Sequence, residues 1–257
     1  MRTLLQRTVA VAVLATLAAC SDSGAPTDTP RDPVAPADTL PVTPALACPG
    51  PEVKGHILVD ASRDGGVWWY PQGEAGFDAA APHQGQGLAD YLRSRGYVVD
   101  ELSRGRIVSD TLLATYAGAI RAGQYGTYTE GELRAYDWFL DCGSTLVLLG
   151  EFLHEGGRDK LAESIGVPFQ GKVTGVVTTF AEHPITQGMD MLAFTAGSIL
   201  TEPIPTGITV LGWLDTGEAV MGVVTHPRAR IFFLGDTNGL EEVPQPLVDN
   251  LIAWGFQ

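Results

Sequence analysis

The feature that most restricts the fold is a repeated alternation in the first half of the chain: short apolar runs separated by amphipathic stretches, most of them near 12 residues long. His56–Ala61 reads as a buried strand. Gln84–Arg95 reads as a helix with Leu88, Tyr91 and Leu92 on one face, stopped by Gly96. Tyr97–Leu102 is a second strand, Ser109–Tyr116 a short helix with a Ser or Asp cap, and Ala117–Gly123 a third strand. Thr129 with Glu132 three residues on forms a capping box that opens a helix whose stripe is Leu133, Tyr136, Phe139 and Leu140. Ser144–Gly150 is the most hydrophobic strand and is expected to be central. Strand alternating with helix predicts right-handed βαβ units on a mainly parallel sheet.

The second half is less regular. Arg158–Ile165 is expected to be a helix, and Val173–Thr179, Ile208–Trp213, Ala219–Val224 and Arg230–Leu234 to be strands. His226-Pro227-Arg228 reads as a hairpin turn, and Leu247–Trp254 as a closing helix. No internal repeat stands out.

The N-terminus carries a separate signal. Arg2 and Arg7 precede an apolar run, Val9–Ala19, that is shorter than the roughly 20 residues a membrane span needs. Its length suits the h-region of a secretory signal. It ends in Leu17-Ala18-Ala19-Cys20, which resembles the lipobox of bacterial lipoproteins. The resemblance implies that residues 1–19 are removed, that Cys20 carries fatty acyl chains, and that the protein is anchored on the extracytoplasmic side of the cell envelope. Residues 20–52 are Ser/Thr/Asp/Ala/Pro in character, with Pro26, Pro30, Pro33, Pro36, Pro41, Pro44, Pro49 and Pro51. Such a segment cannot bury enough apolar surface to offset its chain entropy, and its prolines favour an extended spacer.

Residues 53–257 are then one domain with a sizeable core. A formal net charge of −14 argues against nucleic acid as a partner and against electrostatic docking to anionic lipid. Membrane attachment is therefore expected through the lipid alone. With Cys20 acylated, Cys48 and Cys142 remain for an oxidising compartment. Each precedes a predicted strand, and strand starts in a parallel sheet share one edge, so the two are expected to pair. No Cys-x-x-Cys pattern suggests a metal.

Four stretches carry a wider resemblance: Ile57–Asp60; Thr129–Gly150; Glu182–Gly188 (EHPITQG); and Arg230–Asp236 followed by Asn250–Trp254. In this order the chain resembles the class I glutamine amidotransferase-like superfamily, a flavodoxin-like three-layer α/β sandwich. More narrowly it is similar to a non-catalytic branch found in gliding-motility and intraflagellar-transport proteins. Active members place a Cys nucleophile on the turn after one central strand. Here that turn is Leu149-Gly150-Glu151-Phe152, with no Cys or Ser, and no Gly-x-Ser-x-Gly elbow exists. The resemblance thus implies the fold without the acyl-transfer activity, and no cofactor.

Ligands of open α/β sheets bind beyond the carboxyl ends of the strands. Asp60, Glu151, His154 and Asp236 are expected there and are the candidates for acid–base work or cation binding. Strand-end acids also serve as caps. His183 and His226 sit in turn-like segments and are expected to be structural. Trp68, Trp69 and Tyr70, between Gly65-Gly66 and Pro71, together with Tyr125, offer a stacking platform for carbohydrate or for an envelope protein, unless the loop folds back and buries them. Three functions compete: a non-enzymatic binding or scaffold domain, a carboxylate/His-dependent hydrolase acting on carbohydrate or envelope material, and an envelope component working through protein contacts alone.

Overall fold

The computed structural model describes residues 46–64, 68–69, 78 and 81–256. The signal, Cys20 and most of the spacer lie outside them.

In chain order the elements are β1 (His56–Asp60), α1 (Gln86–Ser94), β2 (Val98–Leu102), α2 (Asp110–Leu113), β3 (Gly118–Arg121), α3 (Glu130–Asp141), β4 (Thr145–Leu149), α4 (Lys160–Ser164), β5 (Phe169–Phe180), β6 (Leu192–Leu200), β7 (Ile208–Leu214), β8 (Ala219–Val224), β9 (Arg230–Leu234) and α5 (Gln245–Gly255). They build a nine-stranded sheet in the order β2-β1-β3-β4-β9-β8-β7-β5-β6. Strands β2, β1, β3, β4 and β9 are parallel neighbours, whereas β9-β8-β7-β5-β6 pair antiparallel. The antiparallel part is larger than the single hairpin expected from the sequence, and it includes β6, which the sequence reading left unassigned.

The inner parallel strands β1, β4 and β9 are largely apolar on both faces because both faces are covered. Ile57, Val59, Val147, Leu149, Phe232 and Leu234 point into one cluster with Leu88 and Leu92 of α1 and Leu247, Val248 and Leu251 of α5. Leu58, Leu146, Leu148, Ile231 and Phe233 point into the other, with Leu113 of α2, Tyr136, Phe139 and Leu140 of α3, and Leu161 of α4. All five residues of β4 are buried, as expected of a central strand. The capping box of α3 forms: Thr129 Oγ1 accepts from Glu132 N and Glu132 Oε2 accepts from Thr129 N. Cys48, just before β1, is disulfide-bonded to Cys142, the residue that ends α3, with a Cα–Cα separation of 5.3 Å.

The antiparallel half folds back on the parallel half. β6, last in hydrogen-bonding order, lies across the carboxyl end of β9, where Ser198 N donates to Gly235 O at 2.7 Å. The approach is possible only without side chains: a Cβ on Gly235 would lie 1.9 Å from Ser198 O, and one on Gly197 would lie 2.5 Å from Gly235 O. Ala196, next to Gly197, adopts φ 60°, a left-handed conformation uncommon outside glycine.

Candidate functional site at the carboxyl edge

Asp60, Glu151 and Asp236 sit at the carboxyl ends of β1, β4 and β9, and all three are buried. Their oxygens already accept from the protein. Asp60 Oδ2 takes the Tyr128 and Tyr136 hydroxyls at 2.7 and 2.6 Å, and Oδ1 takes Ser62 N at 2.9 Å. Glu151 Oε1 takes Phe152 N and Oε2 takes the Thr237 hydroxyl, each at 2.9 Å. Asp236 Oδ2 takes Thr195 N of β6 at 2.6 Å, and Oδ1 takes Asn238 N at 2.9 Å.

Burial pushes the Glu151 carboxyl above its usual range, and the charge of Asp64 adds to the effect. Burial pushes Asp236 up to about 7, with Glu151 and Glu241 contributing, against the hydrogen bonds from Thr195 and Asn238. Burial, together with the nearby Asp60 charge, raises the Tyr128 and Tyr136 hydroxyls well above theirs, so both remain donors to Asp60.

Beside Asp60 lies an ion pair that the sequence reading missed. Arg121 of β3 is fully buried and donates to Asp159 Oδ2 at 2.5 Å, while Asp159 Oδ1 caps α4 by accepting from Ala162 N. Burial alone would lower the Arg121 pKa, but the Asp159 charge raises it, and the guanidinium stays charged. A signal existed, because a lone Arg in the apolar run Ala117–Gly123 demands a buried partner. The partner is 38 residues away and carries no mark in the sequence.

The turn after β4 is not a nucleophile elbow. An elbow is a strained strand-to-helix turn that exposes its central side chain. Glu151 is buried, it is not among the residues with positive φ, and Glu151–Asp159 intervene before α4 begins. The Ser198 and Thr237 hydroxyls nearby are both engaged by Glu151: Ser198 Oγ donates to Glu151 O at 2.6 Å and Thr237 Oγ1 to Glu151 Oε2 at 2.9 Å.

The other candidates fall in different places. His154 is exposed and packs edge-on against Phe152, with ring centroids 4.9 Å apart, rather than joining the acids. Tyr125 is 45% exposed and meets the Phe152 ring edge-on, with centroids 5.9 Å apart. Its hydroxyl is pushed up to about 12 by burial and by the Glu151 and Asp64 charges. Trp68 and Trp69 do not form a platform, because both are buried in the cluster with α1. The Trp69 indole stacks on His83 at 4.4 Å and donates to Glu101. Gly85 passes so close to that ring that a Cβ would lie 2.2 Å from it. The two indoles cover the apolar face of α1. Tyr70 lies outside the described residues. The two turn histidines cap turns: His183 Nδ1 accepts from Ile185 N, and His226 Nδ1 accepts from Ala229 N.

Among the described residues, no group of three or more His, Cys, Asp or Glu is arranged to hold a metal ion, and no helix is long and apolar enough to cross a membrane. A cleft of about 680 Å³ is lined by Phe180, Glu182, His183 and Met189, and one of about 500 Å³ by Met191, Thr195, Asn238 and Glu242. Neither is lined by Asp60, Glu151, His154 or Asp236.

By sequence, no family model and no curated protein matches the chain. By structure, it is similar to the mmIFT52 N-terminal domain (14% identity, 77% of this chain and 94% of that one, TM-score 0.56). It is also similar to a ThuA-like protein of Bacteroides uniformis (14%, 84% and 94%, TM-score 0.53). A glutamine amidotransferase of Thermotoga maritima is a further neighbour (12%, 78% and 82%, TM-score 0.46). At these identities the likeness concerns the fold alone, an α/β fold shared with the first two of these structures.

Proposed function

We propose that the chain is a lipoprotein of the bacterial cell envelope, held on the extracytoplasmic side by acyl chains on Cys20. Its domain is a non-catalytic member of the glutamine amidotransferase-like superfamily, in the three-layer flavodoxin-like arrangement, and it works as a binding or scaffold module. The observation that carries the non-enzymatic reading is the state of the strand-end acids: each oxygen of Asp60, Glu151 and Asp236 already accepts a hydrogen bond from the chain itself. A general acid or base must instead reach a substrate proton within about 3 Å. Partners are then envelope protein or carbohydrate, met through exposed groups such as Tyr125.

Two measurements test this. Metabolic labelling with a fatty-acid analogue should mark the wild type, and Cys20→Ala should lose both the label and the membrane fraction. A Cys20→Ala protein that stays membrane-bound would sink the anchoring. Melting of the protein against sugars, nucleotides, amino acids and divalent metals should show no shift that Glu151→Ala abolishes. A ligand at 100-fold excess over its Kd stabilises the native state by about 2.7 kcal/mol, so a site there would be visible. A shift lost in that variant would support the hydrolase reading instead.

A further inference from the structure

We propose that β6 is a pH-responsive strap over the carboxyl edge, pinned to β9 through Asp236 and to β4 through Ser198, and tightest when Asp236 and Glu151 together carry at most one charge. The pins are three hydrogen bonds from residues 195–198: Thr195 N to Asp236 Oδ2, Ser198 N to Gly235 O, and Ser198 Oγ to Glu151 O. The two acids belong to one unit. Thr237, adjacent to Asp236, donates to Glu151 Oε2, and each acid is buried. Neither takes part in any ion pair among the described residues.

A carboxylate buried without a cation loses hydration, and the Glu151 charge adds repulsion at Asp236, so burial favours the protonated form of Asp236 against the hydrogen bonds from Thr195 and Asn238. The groups facing the pair are few. Asp64 and Lys172 act on Glu151, in opposite directions, and Glu241 acts on Asp236. Tyr125 stands beside Glu151 as a neutral phenol. Lys172 lies over the Phe152 ring, with Nζ 4.5 Å from its centre, rather than in an ion pair with Glu151. β6 itself, Leu192–Leu200, contributes no titratable side chain.

The direction follows from linkage. Asp236 takes up its proton more readily in the closed state, so closure is favoured below the ordinary Asp range and weakens as pH rises toward about 7. Above that, both states are ionised and the dependence flattens. The strap thus holds hardest in acid and loosens at neutrality, uncovering the ends of β4 and β9.

Hydrogen exchange on the full chain reads this directly. After correction for intrinsic rates, protection of residues 192–200 should fall roughly tenfold or more between pH 5 and pH 7 and level off above 8. Residues 145–149 of β4 should not follow. In Asp236→Asn the 192–200 profile should be flat. If that variant does not fold, Glu151→Gln carries the test, since removing the neighbouring charge should shrink the drop. A flat wild-type profile, an unchanged drop in either variant, or an equal drop in β4 would overturn the proposal.

Discussion

Gly235→Ala is the sharpest probe of how the two halves of the sheet meet. The new methyl would lie 1.9 Å from Ser198 O and 3.3 Å from the Phe194 ring. An ordinary contact is near 3.4 Å, so β6 must retreat by more than an ångström. The Ser198 N–Gly235 O bond, now 2.7 Å, would then be broken, and the 2.6 Å bond from Thr195 N to Asp236 would be strained with it. A neutral hydrogen bond contributes about 1 kcal/mol, one to a charged group about 1.5–3, and overpacking costs about 1–3. The expected loss is about 4 kcal/mol, a large share of the 5–15 kcal/mol typical of a domain. Urea unfolding of Gly235→Ala should therefore show a much lower midpoint. Gly207→Ala is the control, because nothing lies within 4 Å of its added methyl. It should change stability by less than about 0.5 kcal/mol. A loss below about 1 kcal/mol for Gly235→Ala would mean that β6 does not cross β9 this closely.

Reducing the Cys48–Cys142 bond, or replacing both residues by Ser, should cost up to about 4–5 kcal/mol, because the bridge spans 94 residues and restricts the unfolded chain accordingly. Comparing melts with and without reductant checks this. Asp159→Ala leaves the Arg121 guanidinium buried without its partner and should cost about 3–5 kcal/mol in the same urea assay. Glu132 behaves differently with pH. Burial would raise its pKa, but the Thr129 and Val108 amides, the Thr129 hydroxyl and Arg63 bring it below the usual value. Its stabilising contribution is present above the ordinary Glu range and is lost as pH falls through the lowered value. Wild type and Glu132→Gln should therefore differ in stability at pH 6 and converge in strong acid.

What the sequence revealed was local. The capping box at Thr129 and Glu132, the glycine stop after α1, and the apolar runs of β1, β3 and β4 each encode their element within a few residues, because propensity and periodicity act at that range. The carboxyl-edge position of Asp60, Glu151 and Asp236 followed from strand order alone. What they touch did not. Asp60 meets tyrosines 68 and 76 residues away, and Asp236 meets a strand 41 residues back. β6 is hard to read from the sequence because its alternation, Leu192-Ala193-Phe194-Thr195, breaks off after two pairs at Ala196, Gly197 and Ser198. Whether Trp68 and Trp69 face outward or inward stays open in the sequence for the complementary reason. Flanking glycine and proline describe the backbone's freedom but not which apolar surface is waiting for cover.

The disulfide also decides how the domain bears load. Tension on the chain preceding Cys48 passes through Cys142 into the end of α3, beside the start of the fully buried β4. β1, which follows Cys48 by a few residues, is shielded from that pull. Without the bond the same force would peel β1 away from β2 and β3, breaking the ladder one hydrogen bond at a time. With it, the load enters instead between α3 and β4, a strand held on both edges by β3 and β9, as in a fabric clamped behind its hem.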